Sequence, residues 1–180
     1  MLEFIKPICK LLANATSLKN EKDEKKSISY YYSLEITWIL TNIAFGPDQI
    51  MSQLLVDNGS VSGVFEFIKF LISSGDIAQK CMVLWLIANI TGECKANAKL
   101  IADNIDMASI LYSLLDVPTQ FTEVVSLVTW NIDNLTRHGL IRRADLPKVG
   151  AILAYSINKH KDFDAIWAMS KLLNTDDQGI

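Results

Sequence analysis

EITWILTNIAFG (35–46), MVLWLIANITGE (82–93), LVTWNIDNLTRH (127–138) and DAIWAMSKLLNT (164–175) align without gaps, each with one tryptophan at its fourth position. Apolar residues recur at three and four spacing in all four segments, so each reads as a helix. Trp38, Trp85, Trp130 and Trp167 follow one another at intervals of 47, 45 and 37 residues. Further helical stretches lie between them at 64–75, 108–118 and 146–158, and no strand-type alternation is evident. Breakers stand where the helices must turn: Gly46-Pro47, Gly59, Gly63, Gly75-Asp76, Gly92, Pro118, Gly139 and Pro147.

A tryptophan period near 40–47 residues is that of HEAT or armadillo units. One such unit leaves an apolar face uncovered, and stacking against neighbours supplies the core. The expected architecture is therefore all-α, a curved solenoid forming one domain over residues 1–180. Composition agrees. Of 180 residues half are apolar and 21% charged, with 8 glycines and 4 prolines, which excludes disordered, collagenous and disulfide-stapled classes. A chain of this length buries about 70% of its unfolded surface and needs no metal to hold it. The charged run KNEKDEKKSIS (19–29) has no apolar face and reads as a solvated inter-helix loop, its acids making it a poor basic targeting signal.

The formal net charge of −3 argues against nucleic acid or an anionic membrane as partner. The N-terminal MLEFIKPICKLL is interrupted by Lys6, Pro7 and Lys10, too polar for a signal peptide or membrane span, and Cys9, Cys81 and Cys94 show no metal or redox spacing. An intracellular protein with reduced thiols is expected, and the N-x-S/T triplets at Asn14, Asn58, Asn89 and Asn134 are then read as chance occurrences. No P-loop, GxGxxG or HExxH is present. His138 at a helix end reads as a C-terminal cap and His160 as part of a polar turn, with no nucleophile and base paired. The expectation is a binding protein, not an enzyme, with no cofactor and no metal.

Three of the tryptophan helices carry an asparagine four residues on: Trp38/Asn42, Trp85/Asn89 and Trp130/Asn134, whereas Trp167 is followed by Lys171. Residues i and i+4 lie about 40° apart around a helix axis and share a face. In the first helix Ile36, Ile39, Leu40 and Ile43 are expected to form the core stripe, with Glu35, Trp38, Asn42 and Gly46 along another edge. Tryptophans ordinarily pack in cores and asparagines satisfy local backbone groups. A threefold repeat favours exposure instead, because each buried amide left unpaired costs about 1–3 kcal/mol. A ladder of amides can bind the backbone of an extended peptide while its side chains enter slots between indoles. Such slots suit the long stems and charged heads of lysine and arginine, with acids such as Glu35, Glu93, Glu123 and Asp133 setting the preference for cations. Glu93, four residues beyond Asn89, is the best placed anchor, while Glu123 and Asp133 read more simply as solvated helix charge.

The WxxxN helices resemble the third helices of armadillo repeats in the importin alpha (karyopherin alpha) family. WILTNIAFG, WLIANITGE, WNIDNLTR and WAMSKL resemble repeats two to five of that family, in order, over nearly the whole chain. The resemblance implies a right-handed superhelical armadillo solenoid of about four repeats. It also implies an adaptor that binds nuclear localisation signals for import and resides in cytoplasm and nucleus. The implied peptide-binding positions are Trp38, Asn42, Trp85, Asn89, Trp130, Asn134 and Trp167 for lysine- or arginine-rich cargo segments. Gly46, through its carbonyl, and Glu93, in place of an aspartate, match the family's most selective lysine pocket. Met51 stands where the family has a threonine and Lys171 where it usually has a tyrosine, and a cation there is expected to repel a basic ligand. Arg137 matches a basic position of the pattern and receives no role. The family's arginine-rich segment for importin beta finds no match, the arginines being Arg137, Arg142 and Arg143, so importin beta would need another route. The alternative is a degenerate armadillo scaffold whose ladder packs against another protein, with apolar ends near Phe4, Ile5, Leu172 and Leu173.

Overall fold

The computed structural model describes Pro7 and residues 23–57, 60–61, 63–92, 94–116 and 122–175. Among these the architecture is all-helical apart from a two-residue β ladder. The order is α1 (Asp23–Ala44), α2 (Asp48–Leu55), β1 (Val56–Asp57), β2 (Ser60–Val61), α3 (Gly63–Ser74), α4 (Ile77–Gly92), α5 (Lys95–Asn104) and α6 (Met107–Ser113). It continues through a 3₁₀ turn (Leu114–Asp116), α7 (Thr122–Arg137), a 3₁₀ turn (Arg143–Asp145), α8 (Leu146–Tyr155), a π turn (Ser156–His160) and α9 (Phe163–Thr175).

The four tryptophan helices are α1, α4, α7 and α9, and they pack in chain order: α1 on α4, α4 on α7, α7 on α9. The shorter helices run beside them, with α2 against α5 and α6 against α8. This all-helical layering is compatible with an α-solenoid. Its continuous core is built from Leu40, Leu54, Phe65, Phe67, Leu84, Ile87, Ile101, Val128, Ile132 and Leu153, with Ala165 and Ala168 where α9 joins it.

Local chemistry explains the boundaries. Asp76 and Gln79 form a reciprocal capping box at the start of α4, Gln79 N–H donating to Asp76 Oδ1 (2.9 Å) and Asp76 N–H to Gln79 Oε1 (3.0 Å). The preceding turn needs Gly75, since a Cβ there would run into the Leu71 carbonyl. α7 ends in a Schellman motif: Gly139 takes φ +68°, Leu140 N–H donates to the Leu135 carbonyl and Gly139 N–H to that of Thr136, both at 2.9 Å. Pro147 sits in the first turn of α8, where its missing N–H costs nothing.

Three expectations need correction. The charged stretch at 19–29 is not a loop through its described part, because 23–29 belong to α1. Lysine and glutamate are good helix formers, no glycine or proline interrupts them, and a helix polar all round can extend from a packed one. Second, Val56↔Val61 and Asp57↔Ser60 pair antiparallel, and the strand signal in the sequence is a pair of valines flanking Asn-Gly. Third, the buried face of α1 runs through Ser33, Ile36, Thr37, Leu40 and Thr41, whereas Ile39 is exposed. The hydroxyls can turn inward because Thr37 donates to the Ser33 carbonyl (2.7 Å) and Thr41 to that of Thr37 (2.8 Å), leaving methyl groups to pack. Gly59 and Pro118, read as breakers, lie outside the described residues, as does Cys9.

Candidate functional site

All four tryptophans are on the surface: Trp38 is 45% exposed, Trp85 and Trp130 each 38%, and Trp167 64%. An indole is rarely left this open, since covering it is worth about 1.5–3 kcal/mol or more. The successive packing of α1, α4, α7 and α9 places one such ring on each helix of a continuous row. Trp38 and Trp85 touch edge to face, their centroids 5.6 Å apart at 62°. A methylene stem needs about 3.5–4 Å on each side. This pair of rings must part before anything enters between them.

Beside Trp85 a cleft of about 370 Å³ opens between the first halves of α4 and α7, lined by Ile77, Cys81, Met82, Glu123 and Leu127. Its walls are apolar and Glu123, exposed, stands on its rim. Burial pushes the Cys81 thiol above its ordinary range, with the Glu123 and Asp76 carboxylates adding to the shift.

The asparagines divide. Asn42 is exposed and Asn89 partly so, and each turns its Nδ2 back on the carbonyl of its own helix's tryptophan: Asn42 to Trp38 at 3.0 Å, Asn89 to Trp85 at 2.9 Å. In both, Oδ1 has no hydrogen-bond partner among the described residues. Asn134 departs from the expected ladder. It is fully buried, its Nδ2 donating to the Ala88 carbonyl of α4 (2.9 Å) and to Thr91 Oγ1 (3.3 Å). Asn131, three residues earlier on α7, is buried as well and donates to the Leu84 carbonyl (3.0 Å). For Asn134 the cost of a buried amide is avoided, since a helical carbonyl has a second lone pair for its Nδ2 and Arg137 reaches its Oδ1, whereas Asn131 Oδ1 is buried without a hydrogen-bond partner.

Gly46 is exposed just beyond α1. Met51 is buried in the core, so it neither supplies nor withholds a group at the surface. Glu93 lies outside the described residues. Lys171, expected to project as a free repulsive cation, is instead paired with Asp133 Oδ1 at 2.7 Å, its Nζ 5.7 Å from the Trp167 ring centroid. Asp133 is therefore the partner of a charge on the next helix, more than the solvated acid expected of it. Arg137 has a structural role that sequence reasoning missed: its Nη2 donates to Asn134 Oδ1 (2.6 Å) and to the Gly92 carbonyl (2.7 Å), closing the end of α4. His138, beside it, bonds through Nε2 to the Thr91 carbonyl at 3.0 Å and so caps the neighbouring helix, not its own. The spacing of Asn131 and Asn134 inside α7, three residues apart, was the available signal for their shared burial.

Among the described residues no three His, Cys, Asp or Glu side chains gather where a metal ion could sit, and no helix is long and apolar enough to cross a membrane. No family model and no curated protein sequence matches the chain.

Proposed function

We propose that the chain is an armadillo-type solenoid of about four repeats that binds extended lysine- or arginine-rich peptides along its tryptophan row. On this reading it acts as an adaptor for nuclear localisation signals, working between cytoplasm and nucleus without catalysis, cofactor, nucleic acid or membrane. The observation that carries it is the row itself: one exposed indole on each of four successively packed helices, with no covering element among the described residues. Asn42 and Asn89 support it, each with Oδ1 uncommitted, as does the apolar cleft with an acid on its rim beside Trp85.

The contacts available are fewer than three complete rungs. Asn134 is committed to α4, and the Trp38–Trp85 slot opens only when those rings separate. Ordering each peptide residue costs about 1–2 kcal/mol, near the net gain of one hydrogen bond. Affinity for a lysine-rich peptide is therefore about micromolar or weaker, falls with salt, and drops at least about tenfold in Trp85→Ala. Tryptophan fluorescence titration at low salt measures this. An unchanged spectrum at saturating peptide overturns the proposal.

A second reading is favoured by the same burial of Asn134: a scaffold whose indole row packs against a folded partner instead of a basic strand. It predicts a peptide-independent complex, visible by light scattering, and no response to lysine-rich peptide.

A further inference from the structure

We infer that the surface between α7 and α9 is a cation-receiving subsite centred on Asp133 and occupied by the chain's own Lys171, which an incoming basic peptide must displace. The inference rests on the groove reading above. Lys171 Nζ reaches from α9 to α7 to meet Asp133 Oδ1 at 2.7 Å, while the same ammonium stands 5.7 Å from the Trp167 ring centroid. A lysine beside an indole with its head on a carboxylate makes the contacts a peptide lysine would make in such a slot.

This pair differs from the other lysine bridges described. Lys69–Glu66 and Lys99–Asp103 join neighbours on one helix with side chains 45–70% exposed, whereas Lys171 and Asp133 join two helices and are 30% and 21% exposed. A bridge so withdrawn is weakly screened and holds its geometry. Position matters as well. Lys171 follows Trp167 by four residues, the spacing at which α1 and α4 carry asparagines that fold back on their own helix. The longer lysine side chain crosses instead to the neighbouring helix. Asp133 could draw a basic ligand to this end of the row, but it is neutralised in place.

The test is an anisotropy titration at low salt with a dye-labelled peptide of five lysines flanked by glycine and serine. Lys171→Gln and Lys171→Met are each expected to bind about tenfold tighter than the unmodified chain. Asp133→Asn added to Lys171→Gln should abolish the gain, because the vacated carboxylate is what the peptide lysine takes. Lys159→Gln, an exposed charge elsewhere, controls for net charge and should leave affinity within about twofold. Binding no tighter in either Lys171 variant, or an equal gain in Lys159→Gln, overturns the subsite while leaving the groove intact if Trp85→Ala still weakens binding. Absence of binding in every variant, Lys171→Gln included, overturns the groove reading and the subsite together.

Discussion

Asn134 and Asn42 carry the same residue type at the same distance from a tryptophan, yet their surroundings make them opposite in consequence. Asn134 is sealed between α4 and α7 with both ends of its amide engaged, by Ala88 and Thr91 on one side and Arg137 on the other. Asn42 makes one bond at the surface. Asn134→Ala is expected to destabilise the fold by about 2 kcal/mol, combining lost buried bonds with a small void. Asn42→Ala should stay within about 0.5 kcal/mol. Urea unfolding midpoints compare them directly, and a larger loss for Asn42 would contradict the assignment of roles. That difference was not legible in the sequence. The i, i+4 rule places a pair on one face of a helix, but which face turns to solvent depends on rotation against a neighbour. In α7 the buried Asn131 and Asn134 find acceptors 43–47 residues away.

Among the elements, the tryptophan helices could be read from pattern because their apolar spacing and bounding glycines agree with the way they pack. The extension of α1 back to Asp23 could not, since a mixed-charge run lacks periodicity whether it is helical or not. Short α6 depends most on its ends. Asp106 caps it, accepting from Ser109 Oγ at 2.6 Å and from Ser109 N–H at 3.3 Å, and also receives Arg142 Nη2 at 3.2 Å. The serine bonds, chiefly that from the hydroxyl, hold the Asp106 carboxyl below its usual range. The arginine contact is exposed on both sides and adds little. Asp106→Ala should cost about 1 kcal/mol at neutral pH. A depressed carboxyl contributes stability above its unfolded value and loses it as pH falls through the folded one. The gap between variant and parent, measured by urea midpoints, should therefore narrow on acidification below the ordinary carboxylate range. A gap independent of pH would show that the carboxylate is not what caps the helix.

At the scale of the whole molecule, the helices of the described row differ in how many others pack against them. α4 lies against α1, α3, α5 and α7, while Phe45, just past α1, and Leu173 of α9 are open apolar groups at 85% and 68% exposure. Stability in such a row is close to a sum over neighbours, and it is least where the described neighbours are fewest. Native-state hydrogen exchange should find the strongest protection in α4 and α7, with weaker protection in α1 and α9. Uniform protection throughout would indicate a single cooperative block instead. One further consequence comes from the amides that tie α7 to α4. They are received by the main-chain oxygens of Leu84 and Ala88, atoms that any residue at those positions would supply. Mutational drift along α4 can therefore replace the letters of the receiving helix without deleting the lock. A fold fastened in this way can keep its arrangement long after its text has diverged.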